Sequence, residues 1–142
     1  MKLISHRGNL IGPNVLENSP KFLIQAIEKG FDVEVDIRLI DKKWYLGHDN
    51  PEYEITESFI EEINNFTWFH CKNLEALHTF DKNNHKFFWH QTDDFSLTSN
   101  GYIWTYPGKQ INIKSIIVDL KKINLNQYQN CYGICGDYVE MV

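Results

Sequence analysis

Residues 31–49 read FDVEVDIRLIDKKWYLGHD, and the spacing inside that stretch governs the kind of fold to expect. In an extended strand, side chains two apart share a face. Val33, Val35 and Ile37 therefore form one apolar face, and Glu34, Asp36 and Arg38 form the other. The apolar face packs under helices, as in an α/β sheet. Asp41–Lys43 turns the chain into WYLGHD, a short antiparallel partner. The acid face has two readings. On an outward-facing sheet it meets water and confers only solubility. Turned inward, its carboxylates are costly unless paired or bound to a cation, and then they mark half of an active site.

On either side of this stretch, strand-like and helix-like segments alternate. KLIS, ending at His6, reads as a first strand. Ser19 and Pro20 open a helix with Phe22, Leu23, Ala26 and Ile27 at helical spacing, and Gly30 ends it. Thr56, a few residues after Pro51, begins a second helix with Phe59, Ile60 and Ile63 as its apolar stripe. TWFHCK (67–72) reads as a strand, Asn73 caps a third helix, and KFFWHQ (86–91) is a further strand. Residues 93–101, rich in Asp, Ser, Thr and Asn, read as loop; YIWTYP, SIIVDL and CYGIC follow as strands with no long helix between them. Strands separated by helical segments imply parallel pairing through right-handed crossovers. About seven mostly parallel strands form either an open doubly wound sheet or a barrel. A full eight-unit barrel takes about 250 residues, so a barrel built from 142 is abridged, with loops replacing outer helices in the second half.

Composition narrows the function. With 42% hydrophobic and 14% aromatic residues, the 142-residue chain reads as a single globular domain over 1–142. Nineteen acids against fourteen bases give a net charge of −5 without a Lys/Arg run, which disfavours nucleic acid and anionic membrane surfaces as the main partner. The start, MKLISHRG, turns polar too early for a signal peptide, and no window is apolar enough for stable membrane insertion, so a cytoplasmic location is expected. Cys71, Cys131 and Cys135 suit free thiols better than a disulfide framework or a zinc knuckle.

The residues with chemistry cluster at strand ends. His6 ends the first strand, His70 and Lys72 end TWFHCK, and His90 follows the next, all at the carboxyl ends where parallel α/β proteins build their sites. His48 and Asp49 return to the same end through the hairpin. Trp104 and Tyr106 sit near another strand end, either as core packing or as the wall of a pocket.

In order and at workable spacing, SHRGN, ENSP and EVDIRLIDKKWYLGHD resemble the signature of the glycerophosphodiester phosphodiesterase-like family. That family belongs to a superfamily similar to the phosphatidylinositol-specific phospholipases C, whose fold is a TIM-type barrel. The match covers roughly the first 50 residues and continues weakly through FHCK; GICGDYVE resembles a family ending in which a strand closes the barrel.

The resemblance implies catalytic histidines at His6 and His48, divalent-metal ligands at Glu34 and Asp36, and phosphate contacts from Arg7 and Lys72; Trp104, from its place near a strand end alone, could stack on a head group. Glu17 and Asn18 match a pair that positions the first loop. Where the family carries an acid two residues before the lysine, this chain has His70. Magnesium or calcium is the metal the resemblance implies; a ligating His70 favours manganese or zinc. The expected function is metal-dependent cleavage of a small phosphodiester, glycerophosphodiester-like or phospholipid head-group-like, by two-histidine acid/base chemistry. The alternative is a non-catalytic module of the same fold that binds phosphate or another anion. An abridged barrel also leaves an edge that a second subunit could cover as a homodimer.

Overall fold

The computed structural model describes residues 1–142, and all ten of its strands join one sheet. In chain order the strands are β1 (Lys2–His6), β2 (Asp32–Ile40), β3 (Lys43–Leu46), β4 (Tyr53–Ile55), β5 (Thr67–Cys71), β6 (Lys86–Phe88), β7 (Phe95–Leu97), β8 (Ile103–Thr105), β9 (Ser115–Asp119) and β10 (Gly133–Gly136). Seven of them form a parallel run in the spatial order β6, β5, β2, β1, β10, β9, β8. The hairpin strand β3 pairs with the far half of β2, β4 adds to β3, and β7 pairs antiparallel with β8.

The alternation in β2 separates two cores. Val33, Val35 and Ile37 are fully buried on the outer face, against Leu23 and Ala26 of α1 (Pro20–Glu28), Ile60 and Ile63 of α2 (Glu57–Ile63) and Ala76 of α3 (Leu74–Thr79). Each helix has a side-chain cap at its start. Ser19, Thr56 and Asn73 accept from the backbone N–H groups of Phe22, Phe59 and Ala76. The inner face carries a second cluster: Ile4, Trp68, Phe88, Trp104, Ile116 and Cys135. Phe88 of β6 and Trp104 of β8 stack with ring centroids 4.3 Å apart, so the two ends of the parallel run face each other across this interior.

The α/β class is as expected, but the closed TIM-type barrel is not formed. The sheet is a curled half-barrel, because no ladder joins β6 to β8. No helix lies between β6 and β8 to carry a crossover. Instead β7 doubles back beside β8, and Ser99 closes on Phe87 through two 2.9 Å hydrogen bonds, its N–H donating to the carbonyl and its Oγ accepting from the N–H. Residues 93–101, expected as loop, thus contain a strand, and β4 precedes α2, where no strand was expected. The α-helices all lie before residue 80, and the only helical turns beyond it are 3-10, at Leu125–Gln127 and Val139–Met141. No helix is long and apolar enough to cross a membrane. All three cysteines are free, with Cys71 and Cys135 buried.

Candidate functional site

Asp32, Glu34 and Asp36 all project from the inner face of β2 and are buried, at 4%, 2% and 0% exposure. The protein treats them differently. Asp32, toward the amino end of the strands, is answered by neighbours: Lys2 Nζ lies 3.1 Å away, the Trp68 indole N–H donates to it at 3.0 Å, and Lys86 stands 3.7 Å off. Glu34 and Asp36, toward the carboxyl end, are not fully answered. Apart from the His6 ring 3.8 Å from Glu34 Oε2 and the His70 ring 3.1 Å from Asp36 Oδ1, these two buried oxygens have no polar partner. A folded chain seldom leaves two such oxygens side by side unless a cation or ligand is due there.

The groups around that pair come from the ends of successive strands. Ion pairing brings Arg7 Nε to 2.9 Å from Asp36 Oδ2, while Arg7 Nη1 donates to Glu17 at 3.2 Å. Arg7 is left-handed, with φ of 56°, an uncommon conformation for a residue other than glycine. Its N–H donates to the Glu34 carbonyl and its own carbonyl accepts from Asn18 N–H, each at 2.9 Å, which fixes the turn. Gly8 follows at φ 89°, and a Cβ there would meet Phe22 at 3.1 Å, so the third residue of His-Arg-Gly has little room to be anything else. Asn18 reaches further than the first loop: its amide donates to Asp36 Oδ2 at 2.9 Å and accepts from Asp36 N–H at 3.0 Å.

His70 lies beside both carboxylates. Its Nε2–H donates to the His90 carbonyl at 3.0 Å, a bond that fixes the ring orientation because a carbonyl only accepts. Nδ1 therefore faces Asp36 Oδ1 at 3.1 Å and Glu34 Oε1 at 3.5 Å. Burial opposes a charged ring, but hydrogen bonding and charge from Asp36 and Glu34 outweigh it and push the pKa up to about 9. For Asp36, burial works against ionisation, yet His70, Arg7 and Asn18 hold the carboxyl well below its ordinary range. The ligating atoms of Glu34, Asp36 and His70 lie within 4.8 Å of one another. Two carboxylates and one imidazole, with orphaned oxygens among them, are a donor set that fits a divalent transition metal.

The two histidines expected to do acid/base work are held alike. His6 Nδ1 is 2.7 Å from Asp137 Oδ1, leaving Nε2 toward Glu34 Oε2 at 3.8 Å. Burial lowers the His6 pKa, but the bond to Asp137 and the charge of Glu34 override it, and the net displacement is upward. His48 Nδ1 is 2.8 Å from Asp49 Oδ1 in a more open position, its side chain 41% exposed. The loop under His48 is pinned by Arg38, whose Nη2 donates to the carbonyls of Gly47 at 3.1 Å and His48 at 2.7 Å.

These side chains share one cavity of about 650 Å³. Of the residues expected at the site, His6, Arg7, Glu34, His48, His70, Lys72 and Trp104 line it, and Asp36 sits directly behind, fully buried. Trp104 is only 4% exposed and spends its ring on Phe88. Tyr106, 48% exposed on the same wall, is the more accessible aromatic. Asp137 and Arg38 were not anticipated. An acid two residues beyond the expected strand CYGIC was the available signal for Asp137; nothing in the local sequence marked Arg38 as the anchor of the His48 loop.

No family model, curated protein or solved structure matches the chain.

Proposed function

We propose that the chain is a metal-dependent phosphodiesterase on an abridged TIM-type half-barrel, similar in its site to the glycerophosphodiester phosphodiesterase-like family. One observation carries the reading. Two histidines, each bonded at Nδ1 to a carboxylate, line the same cavity as a buried Glu34–Asp36–His70 cluster with unanswered oxygens. A solvated acid face or a purely structural strand has no use for that arrangement.

Glu34, Asp36 and His70 would hold the metal, and the nitrogen donor suits manganese or zinc better than calcium. When bound, the metal withdraws charge from a phosphodiester oxygen. The chain supplies the rest. Arg7 and Lys72, on the cavity wall, neutralise the diester anion and fix its orientation. One of His6 and His48 takes the proton of the attacking hydroxyl, whether from water or from the substrate itself, as the new O–P bond forms. The other gives a proton to the departing alkoxide as the old P–O bond breaks. With Nδ1 committed to Asp137 or Asp49, each ring works through Nε2, and for His6 the bond to Asp137 favours the charged form.

The test is turnover of an aryl phosphodiester in the presence of manganese. His6→Ala and His48→Ala should each lower kcat by about 10²–10⁴ while keeping the cooperative unfolding transition of the parent. Full activity in both variants would refute the assignment.

A further inference from the structure

The strand order divides the rim of the cavity into two arcs. Beyond β2, β5 and β6 the rim is polar, with His48, Lys72, His90, Gln91 and Thr92. Beyond β1, β10, β9 and β8 it carries exposed apolar side chains, and the loop after β1 is the clearest case. From Gly8 to Leu16 that loop has no charged residue, yet Ile11, Val15 and Leu16 are 69%, 93% and 45% exposed. The loop is not loose. Leu10 is buried, its carbonyl accepting from Glu140 N–H at 3.1 Å; Gly12 abuts the Tyr138 ring; and the returning chain is tied to Arg7 through Glu17 and Asn18. A braced base thus holds three aliphatic side chains in water, at a cost that packing against the core would have avoided.

Charge along the same arc departs from the acidic whole. Its acids are engaged: Asp119 accepts from the Tyr128 hydroxyl, Asp137 holds His6, and Glu140 pairs with Lys29. Lys121 and Lys122, just beyond Leu120 on the cavity wall, are exposed. Aliphatic groups in the loop after β1 and free cations in the loop after β9, both following carboxyl strand ends as the cavity residues do, complement a lipid headgroup layer in both apolar and charged character. A second copy of the chain seated on the loop would cap the cavity, whereas a lipid surface presents a ligand to it.

We propose that this arc docks on a phospholipid surface, with Ile11, Val15 and Leu16 entering the acyl region and Lys121 and Lys122 facing headgroup phosphates, so that the cavity opens onto a phosphodiester held in lipid. The substrate class that follows is a phospholipid or lysophospholipid headgroup diester. That assignment rests on the phosphodiesterase reading; the docking does not.

Co-sedimentation with vesicles of phosphatidylcholine containing a minor fraction of phosphatidylserine tests the docking without any turnover. The wild-type chain should pellet with the vesicles. Ile11→Ser with Val15→Ser should lower the partition coefficient at least about tenfold, given the apolar area removed. Lys121→Gln with Lys122→Gln should weaken binding only where phosphatidylserine is present, and salt should mimic that loss. None of these variants should alter turnover of a water-soluble aryl phosphodiester, since none touches the catalytic groups. Vesicle binding without turnover of any diester would refute the phosphodiesterase reading and leave the docking standing. A wild-type chain that stays in the supernatant, or aliphatic variants that bind as well as the parent, would overturn the docking. Light scattering that shows a dimer abolished by the same substitutions, without vesicle binding, would assign the surface to a second copy and overturn it equally.

Discussion

Asp137→Asn removes one charge from the site and almost no volume. Asp137 is 4% exposed, and its Oδ1 lies 2.7 Å from His6 Nδ1 and 2.8 Å from the Asn9 amide. If the new side chain presents its oxygen, His6 keeps its tautomer but loses the anion that stabilises its imidazolium. If it presents its NH₂ group, Nδ1 must accept, and the proton moves to Nε2, where the reaction needs a lone pair. Burial already lowers the His6 pKa, and Asp137 is the first of the groups opposing it, so the value falls in either case. Replacing the buried acid behind a catalytic histidine costs about 10⁴ in kcat in the Ser-His-Asp case. Here Glu34 still faces Nε2, so about 10²–10³ is expected. In the proposed mechanism Asp137 acts through His6 without touching substrate. KM should therefore hold, kcat should drop, and the limb of the pH–rate profile set by His6 should move to lower pH. The assay is steady-state hydrolysis of an aryl phosphodiester across the neutral range. A kcat within about twofold of the parent, or an unmoved pH profile, would refute the coupling.

Two further outcomes follow from the buried charges. In metal-free protein the His70 pKa is about 9 against an ordinary 6.5, so its charged form stabilises the fold fully below 6.5 and that stabilisation is lost as pH rises through 9. Urea midpoints should fall over that window by an amount equivalent to about 3 kcal/mol at most, and His70→Gln should flatten the slope; equal slopes in both proteins would contradict the ion cluster. Asp32→Ala leaves Lys86 and the Trp68 indole without their buried partner, and should cost about 3 kcal/mol in urea unfolding while leaving divalent-metal affinity unchanged; a variant as stable as the parent would show that this end of the sheet carries no such burden.

Much of this was legible in the sequence because strand alternation is a local rule. Val33, Val35 and Ile37 belong with the helices and Glu34 and Asp36 with the opposite face for no reason beyond the two-residue repeat, and the structure keeps that division. The same rule did not say which face turns inward. That depends on curvature, which is fixed by distant pairings such as Phe88 with Trp104. The antiparallel β7 was hidden because Phe95–Leu97 is short and flanked by loop-like residues, and its partner lies in β8. Long-range partners also concealed Asp137, 131 residues from His6, and Arg38, whose bonds go to backbone carbonyls rather than to a recognisable side chain. Asn18 was visible as half of Glu-Asn, but its grip on both the backbone and the side chain of Asp36 needed the fold.

On the proposed function, Glu34 and Asp36, with His70, form a metal site that serves chemistry. Isothermal titration of the chelated protein with manganese and with zinc, followed by diester turnover on the same samples, tests it most directly. One bound metal per chain is expected, with activity restored in step with occupancy and both lost in Glu34→Gln with Asp36→Asn. Inorganic phosphate binding that is indifferent to metal and to those substitutions, with no turnover at full occupancy, would rule out a catalytic metal site and leave an anion-binding module in its place.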